Sequence, residues 1–256
     1  NQLTPFSVTL DKFNVIFDIR NQTNIGTPLD FIATVSTKET PKAKASKSEI
    51  RVNYPLEAPG ANVYLTGNGY APVLTFRDQD GNVSFSGPVI YMPQDANYTS
   101  LGVIKLPDAK PNQFGVLSFF YPTAATLKTG ALTSSYPAPV DPIVSMNVYV
   151  GNLGLDSGIP SNAFELQVHG LKQVAGGKSG TKAIVLEKIG ETVELPNNLG
   201  TVTWEGLKRF ASLDIDYNPA QIWVLLFTIL GFGGLFAGLL VPRRRVFVKL
   251  GKDGLE

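Results

Sequence analysis

The run Ile222–Val241, IWVLLFTILGFGGLFAGLLV, carries no charged residue, and its only polar side chain is Thr228. A helix rises about 1.5 Å per residue and bilayer hydrocarbon is about 30 Å thick, so a run of this length crosses it. A core helix of a water-soluble protein would keep a polar stripe at helical spacing, and this run is apolar all round. The sequence therefore predicts one transmembrane helix within residues 218–242. Everything before it reads as a domain held at a membrane surface.

The flanks fit a span. Asn218 is placed to cap the helix, and Pro219 suits a first turn whose N–H groups have no intrahelical partner. Tyr217 and Trp223 fall where an interfacial aromatic belt lies. Pro242 ends the run, and Arg243, Arg244 and Arg245 follow, with Lys249 and Lys252 close behind. Lys and Arg beside a span stay in the cytoplasm, so residues 1–217 are expected outside it and 243–256 form a basic cytoplasmic tail. The bilayer is thus the first partner. Arginines directly after a span do not read as a nucleic-acid patch, and a formal net charge of +1 gives no general pull toward nucleic acid or acidic substrates. The chain opens Asn1-Gln2-Leu3 with no leader-like stretch. Export in this orientation needs a targeting segment, so N-terminal membrane spans or a signal peptide are expected upstream.

The outer part is long enough for one large core or two small ones. The whole chain's 25 glycines and 18 prolines, with only 17 % charged residues, favour a turn-rich β domain. The fold class expected is mainly β, with antiparallel sheets in a sandwich- or barrel-like arrangement, followed by one C-terminal transmembrane helix. Phe13, Val15, Phe17 and Ile19 alternate with more polar neighbours, as in a half-buried strand. Strands are also predicted at 31–35, 50–54, 73–76, 83–85, 103–106, 114–121, 144–150, 164–168, 183–186, 192–195 and from 201 to 217. Asp80-Gly81 supplies the positive φ for a hairpin between 73–76 and 83–85. Residues 38–49, KETPKAKASKSE, read as a solvated loop, and Tyr136–Pro142 as a weak boundary. No ten-residue stretch before 218 has helical periodicity.

Little catalytic chemistry can be assembled. The absence of cysteine excludes a thiol nucleophile, a thiol redox centre and a thiolate metal site. His169 is the single histidine, and in Glu165-Leu166-Gln167-Val168-His169 the alternation places it on a solvated strand face. One imidazole cannot build a nitrogen-rich metal site, and no GxSxG accompanies it for a serine triad. Gly67-Asn68-Gly69 and Gly151-Asn152-Leu153-Gly154 look like phosphate loops but open no helix, so both read as turns. No catalytic residue and no metal ligand is nominated. Within the span, Gly234 and Gly238 form a small-xxx-small face suited to packing on another helix.

A series of stretches runs through the chain in order: Val52-Asn53-Tyr54-Pro55-Leu56, Val63-Tyr64-Leu65 with Gly69-Tyr70-Ala71-Pro72, Ser134-Ser135-Tyr136-Pro137 with Asp141-Pro142, and Val148 to Gly158. Arg209-Phe210-Ala211-Ser212-Leu213, Asn218-Pro219, the span and Arg243 to Val248 complete the series. Together these stretches resemble the ResB family of cytochrome c biogenesis proteins in its actinobacterial form. The resemblance implies a large extracytoplasmic domain and a final span, with further N-terminal spans. It implies work beside a ResC (CcsA) partner in a system II complex that brings haem across the membrane and attaches it to CxxCH apocytochromes. Ligation would then belong to the complex, and no haem ligand is carried over to this chain. The competing reading is a membrane-tethered extracytoplasmic sensor or adhesion module, which explains the β pattern and topology without the motifs.

Overall fold

The computed structural model describes residues 5–20, 25–155, 158, 160–177, 179–240, 247, 250–251 and 254–255. Its first strands are β1 (Ser7–Phe17), β2 (Pro28–Lys38), β3 (Ser46–Arg51), β4 (Leu56–Ala58), β5 (Ala61–Arg77) and β6 (Val83–Pro88). Next come β7 (Tyr91–Pro93), β8 (Ser100–Leu106), β9 (Phe114–Tyr121) and the short hairpin β10 (Ala124–Thr126) and β11 (Leu132–Ser134). Then follow β12 (Ile143–Val150), β13 (Lys172–Ala175), β14 (Ile184–Leu186), β15 (Thr192–Glu194), β16 (Thr201–Asp216) and the helix α1 (Gln221–Leu240).

The organising element is the antiparallel ribbon of β5 and β16. It is paired from Thr201 opposite Arg77 to Asp216 opposite Asn62, with bulges beside Trp204 and Ser212. At about 3.3 Å per residue the ribbon is roughly 50 Å long. Partners across a ladder share a face, and each bulge shifts the alternation by one. On this register Val63, Leu65, Ala211 and Leu213 share one face with Tyr70, Leu74, Trp204 and Arg209.

Two cores sit end to end on that face. At the far end, Leu74, Phe76, Val202 and Trp204 pack against Phe114, Phe120, Val144 and Met146 of the sheet β13-β12-β9-β8-β7, in which β14 also pairs with β12. At the helix-proximal end, Val63 packs with Phe13, Ala33, Val35 and Ile50 of the sheet β1-β2-β3. The two small cores therefore share one long ribbon. Tyr136–Pro142 is not a boundary. The far core draws on both sides of it, and the Tyr70 hydroxyl donates to Pro137 O at 2.7 Å.

The predicted turn at Asp80-Gly81 is present, with Gly81 at φ +82° and the Asp78 carboxylate accepting from the Asp80 and Asn82 N–H groups. Other local expectations fail for identifiable reasons. Phe164–Val168 is not a strand, because no ladder pairs with it. Leu166 alone is buried, beneath Gly115, while Phe164 and Val168 stay exposed. Gly67-Asn68-Gly69 is not a turn but the middle of β5. A Cβ on Gly69 would fall 2.8 Å from Cζ of Phe210, so glycine lets that ring lie across the ladder. Ser46–Glu49 is not loop but the start of β3, an edge strand whose polar side chains suit solvent. The short strands β4, β7, β10, β11 and β13 were too brief for a periodic pattern to announce.

Helix α1 is the one helix of spanning length among the described residues, and none of its residues is buried. Asn218 Oδ1 accepts from Ala220 N at 3.2 Å, as its capping position predicts. Thr228 Oγ1 donates to Val224 O at 2.7 Å, so the only polar side chain between Ile222 and Leu240 is satisfied within the helix, as hydrocarbon demands.

Candidate functional site

Where the two cores meet, the shared face of the ribbon turns polar. Arg209 lies opposite Tyr70 and next to Ala211, which lies opposite Asn68 on the same face. Arg209 Nη2 donates to Tyr70 Oη at 2.6 Å and Nη1 to Asn68 Oδ1 at 3.4 Å. The guanidinium carbon lies 4.2 Å from the Tyr70 ring centroid and 5.5 Å from that of Tyr98, within cation–π range of both. The Tyr98 hydroxyl donates to the same Asn68 Oδ1 at 3.0 Å. Tyr70 spends its proton on Pro137 O, leaving lone pairs for Arg209. Burial pushes the Tyr70 phenol above its ordinary pKa, and the Arg209 charge acts against that rise.

Tyr98 has φ +58°. A bulky side chain rarely adopts this left-handed conformation, which costs on the order of 1–3 kcal/mol. The loop before it is held by Asp95, whose Oδ1 accepts from Asn97 N and Thr99 N. The Tyr98 ring packs edge-on to Phe17 and Tyr70, with centroids 6.5 and 5.7 Å away. These contacts fix the ring beside the guanidinium despite the strain.

Arg209 forms part of the wall of an open cleft of ≈ 540 Å³ between β1 and β16. This volume lies within the range of small-molecule sites. Leu10, Phe13 and Leu207 give it apolar surface, and Lys12, Lys208 and Arg209 give it positive charge. Its carboxylate, Asp11, is the extra residue at a bulge in β1 and accepts from Ser36 Oγ at 2.6 Å. Among the described residues the only ion pairs are those of Arg51 with Asp30 and Glu49, so Arg209 has no carboxylate partner. Beyond Trp204, β16 pairs with β5 alone, so its cleft-side edge is open among the described residues. The arrangement offers apolar contact and anion recognition. It does not place a nucleophile beside a base.

The residues singled out from sequence lie elsewhere. Gly234 and Gly238 are one turn apart on α1, with nothing within 4 Å of an added Cβ. Arg243, Arg244 and Arg245 lie outside the described residues. His169 is exposed, as expected, but on a turn. No group of three or more metal-ligating side chains occurs among the described residues. Sequence reasoning missed the cleft, although its parts were in view. Gly69–Pro72 and Arg209–Leu213 both carry the resemblance, and Tyr70 faces Arg209 across the ladder. Ser134–Pro137 joins them, through Tyr70 to Pro137 O and Asn97 Nδ2 to Ser134 O.

A family model for the ResB-like family matches residues 1–256. No curated protein and no solved structure matches the chain. The ResB-like family is associated with cytochrome c biogenesis. A match over the whole length agrees with the mainly antiparallel β domain, the helix of spanning length and the meeting of three resembling stretches beside the cleft, and the chain belongs to the ResB-like family.

Proposed function

We propose that the chain is a subunit of a membrane complex for cytochrome c maturation, one that helps haem reach and attach to CxxCH apocytochromes outside the cytoplasm. Residues 1–217 form the extracytoplasmic domain, 218–242 the span and 243–256 the cytoplasmic tail. A ResC-like membrane protein and apocytochrome c are the partners, and haem is cargo shared by the complex. The observation that carries the reading is the family match over the full chain. The exposed apolar helix supports it, because 20 such residues need lipid or other helices around them. Arg243–Arg245 support the sidedness. An open strand edge beside the cleft suits an extended polypeptide, and apolar walls with cations suit a molecule such as haem, apolar with two carboxylates.

The test is deletion of the gene. Covalent c-type haem should disappear from a haem-stained gel of membranes while b-type centres persist in reduced-minus-oxidised spectra. Removal of residues 1–217 should be as severe as loss of the whole chain, and His169→Ala should have little effect. Normal haem-stained bands in the deletion strain would remove this reading and leave the tethered sensor or adhesion module.

A further inference from the structure

Arg209 is a half-buried cation with no carboxylate partner among the described residues. It is half-buried on the shared face of the ribbon between two apolar cores, and its assigned partners, Tyr70 and Asn68, are neutral. A guanidinium has five N–H donors, and these two bonds use two of them. Withdrawing a charge from water is costly unless an anion or a full set of hydrogen bonds compensates. The guanidinium is also held in place before any ligand arrives, by the Tyr70 and Tyr98 rings and by Asn68. Keeping Tyr98 at φ +58° to do so costs backbone strain. Lys12 and Lys208 share the lining, and the Asp11 carboxylate there is bonded to Ser36. Leu10, Phe13 and Leu207 supply the apolar remainder.

We propose that the cleft between β1 and β16 binds a carboxylate-bearing apolar molecule. Arg209 takes one carboxylate in a forked pair, and Lys12 and Lys208 take a second negative group. Arginine suits this task because its planar fork matches a carboxylate in two parallel hydrogen bonds. The carboxylate chemistry stands on these residues alone. The choice of a porphyrin dicarboxylate as ligand rests on the haem-handling reading above.

The test uses the full chain in phosphatidylcholine nanodiscs, with empty discs as the blank. The probes are metal-free protoporphyrin IX, which has two propionates, and its dimethyl ester, which has the same ring and no charge. Porphyrin fluorescence should report saturable binding of the acid, with the ester about tenfold weaker or worse. Arg209→Gln should weaken the acid by a similar factor and leave the ester unchanged, while Arg209→Lys restores part of the loss. Lys208→Gln, at an exposed strand position, should weaken the acid several-fold and guards against a folding defect at Arg209. Equal binding of acid and ester, no saturable binding of the acid, or unchanged binding by both folded neutral variants would overturn the proposal. So would displacement of the acid by phosphatidylglycerol in the disc, which assigns the cleft to a lipid headgroup. None of these outcomes touches the haem-stained gel, which reads the whole complex in cells.

Discussion

Trp204 and Phe120 meet edge to face, with ring centroids 6.3 Å apart and planes at 83°. Both side chains are fully buried. Trp204 comes from the ribbon and Phe120 from the centre of the five-strand path beside it, so the pair fastens the two sheets together. Phe120 also lies 5.1 Å from the Tyr70 ring, which carries the contact on to Arg209. The indole N–H is satisfied by Gly206 O at 2.8 Å, just past the bulge at Glu205.

Trp204→Ala should therefore cost about 3–5 kcal/mol, from lost burial and the cavity left behind. Trp204→Phe keeps much of the volume and leaves Gly206 O near solvent, so it should cost less. Thermal unfolding followed by far-UV circular dichroism separates the two. A loss below about 1 kcal/mol for the alanine variant would show that the far core does not depend on this contact.

Two glycines make a matched contrast. Gly200 precedes β16 at φ +102°, and a Cβ there would collide with the carbonyl oxygen of Arg77. Gly81 has φ +82° but faces open space. Gly81→Ala should cost only its backbone strain, about 1 kcal/mol. Gly200→Ala must also displace the end of the central ribbon and should be several times worse. Similar melting temperatures for the two variants would contradict the packing described at the β15–β16 turn.

The domain should lose stability in alkali. Burial raises the pKa of Tyr91, partly opposed by its hydrogen bond with Ser118, and burial also raises Tyr70 and Tyr121. A phenol whose folded pKa exceeds its unfolded value of 10.0 ionises first in the unfolded chain. Its contribution is thus complete below pH 10 and is lost as pH rises through the folded value. Each such tyrosine lowers stability by at most about 1.4 kcal/mol per pH unit in that window. Melting temperatures should be flat from pH 8 to 9.5 and fall above pH 10, less steeply in Tyr91→Phe. A decline that begins below pH 9 would point to another group.

What the sequence disclosed and what it hid divide along physical lines. The span was legible because its signal is continuous over twenty residues, and the Asp80-Gly81 hairpin because its turn chemistry is local. Phe114–Tyr121 and Val144–Val150 were legible as apolar runs. The ribbon was not. Tyr70 and Arg209 are 139 residues apart in sequence, and their meeting depends on a register set by two bulges. Glycines inside β5 imitated a turn, because nothing local reports that Phe210 needs the space above Gly69. The cleft was hidden for the same reason, since its charge arises from strands at opposite ends of the chain. Leu166 shows the opposite error, in which one buried side chain gave a loop the look of an alternating strand.

Orientation can be tested directly. Three arginines after the span predict a cytoplasmic C-terminus. A reporter fused beyond Glu256 should be active only if it is a kind that works in the cytoplasm. Activity of an export-dependent reporter there would invert the topology and place the cleft on the wrong side for apocytochromes.

The last prediction concerns the helix itself. Gly234 and Gly238 lie one turn apart on one side of α1, where a missing side chain lets another backbone come close. Apart from the adjoining residues and the helix's own backbone, no described residue comes within 4 Å of an added Cβ at either position. Leucine at both sites therefore meets no obstacle from the outer domain and should leave its melting temperature unchanged. It should also remain apolar enough to insert. Any defect in the double variant then reports a neighbour outside the described residues, which on the proposed function is another membrane helix of the maturation complex. We expect the double variant to reach the membrane in normal amount and to recover several-fold less partner on co-purification. Single leucine substitutions should give intermediate losses if both glycines face the same neighbour. Undiminished recovery with both leucines in place would clear this face of any role in assembly and leave the glycines as ordinary members of a lipid-facing helix.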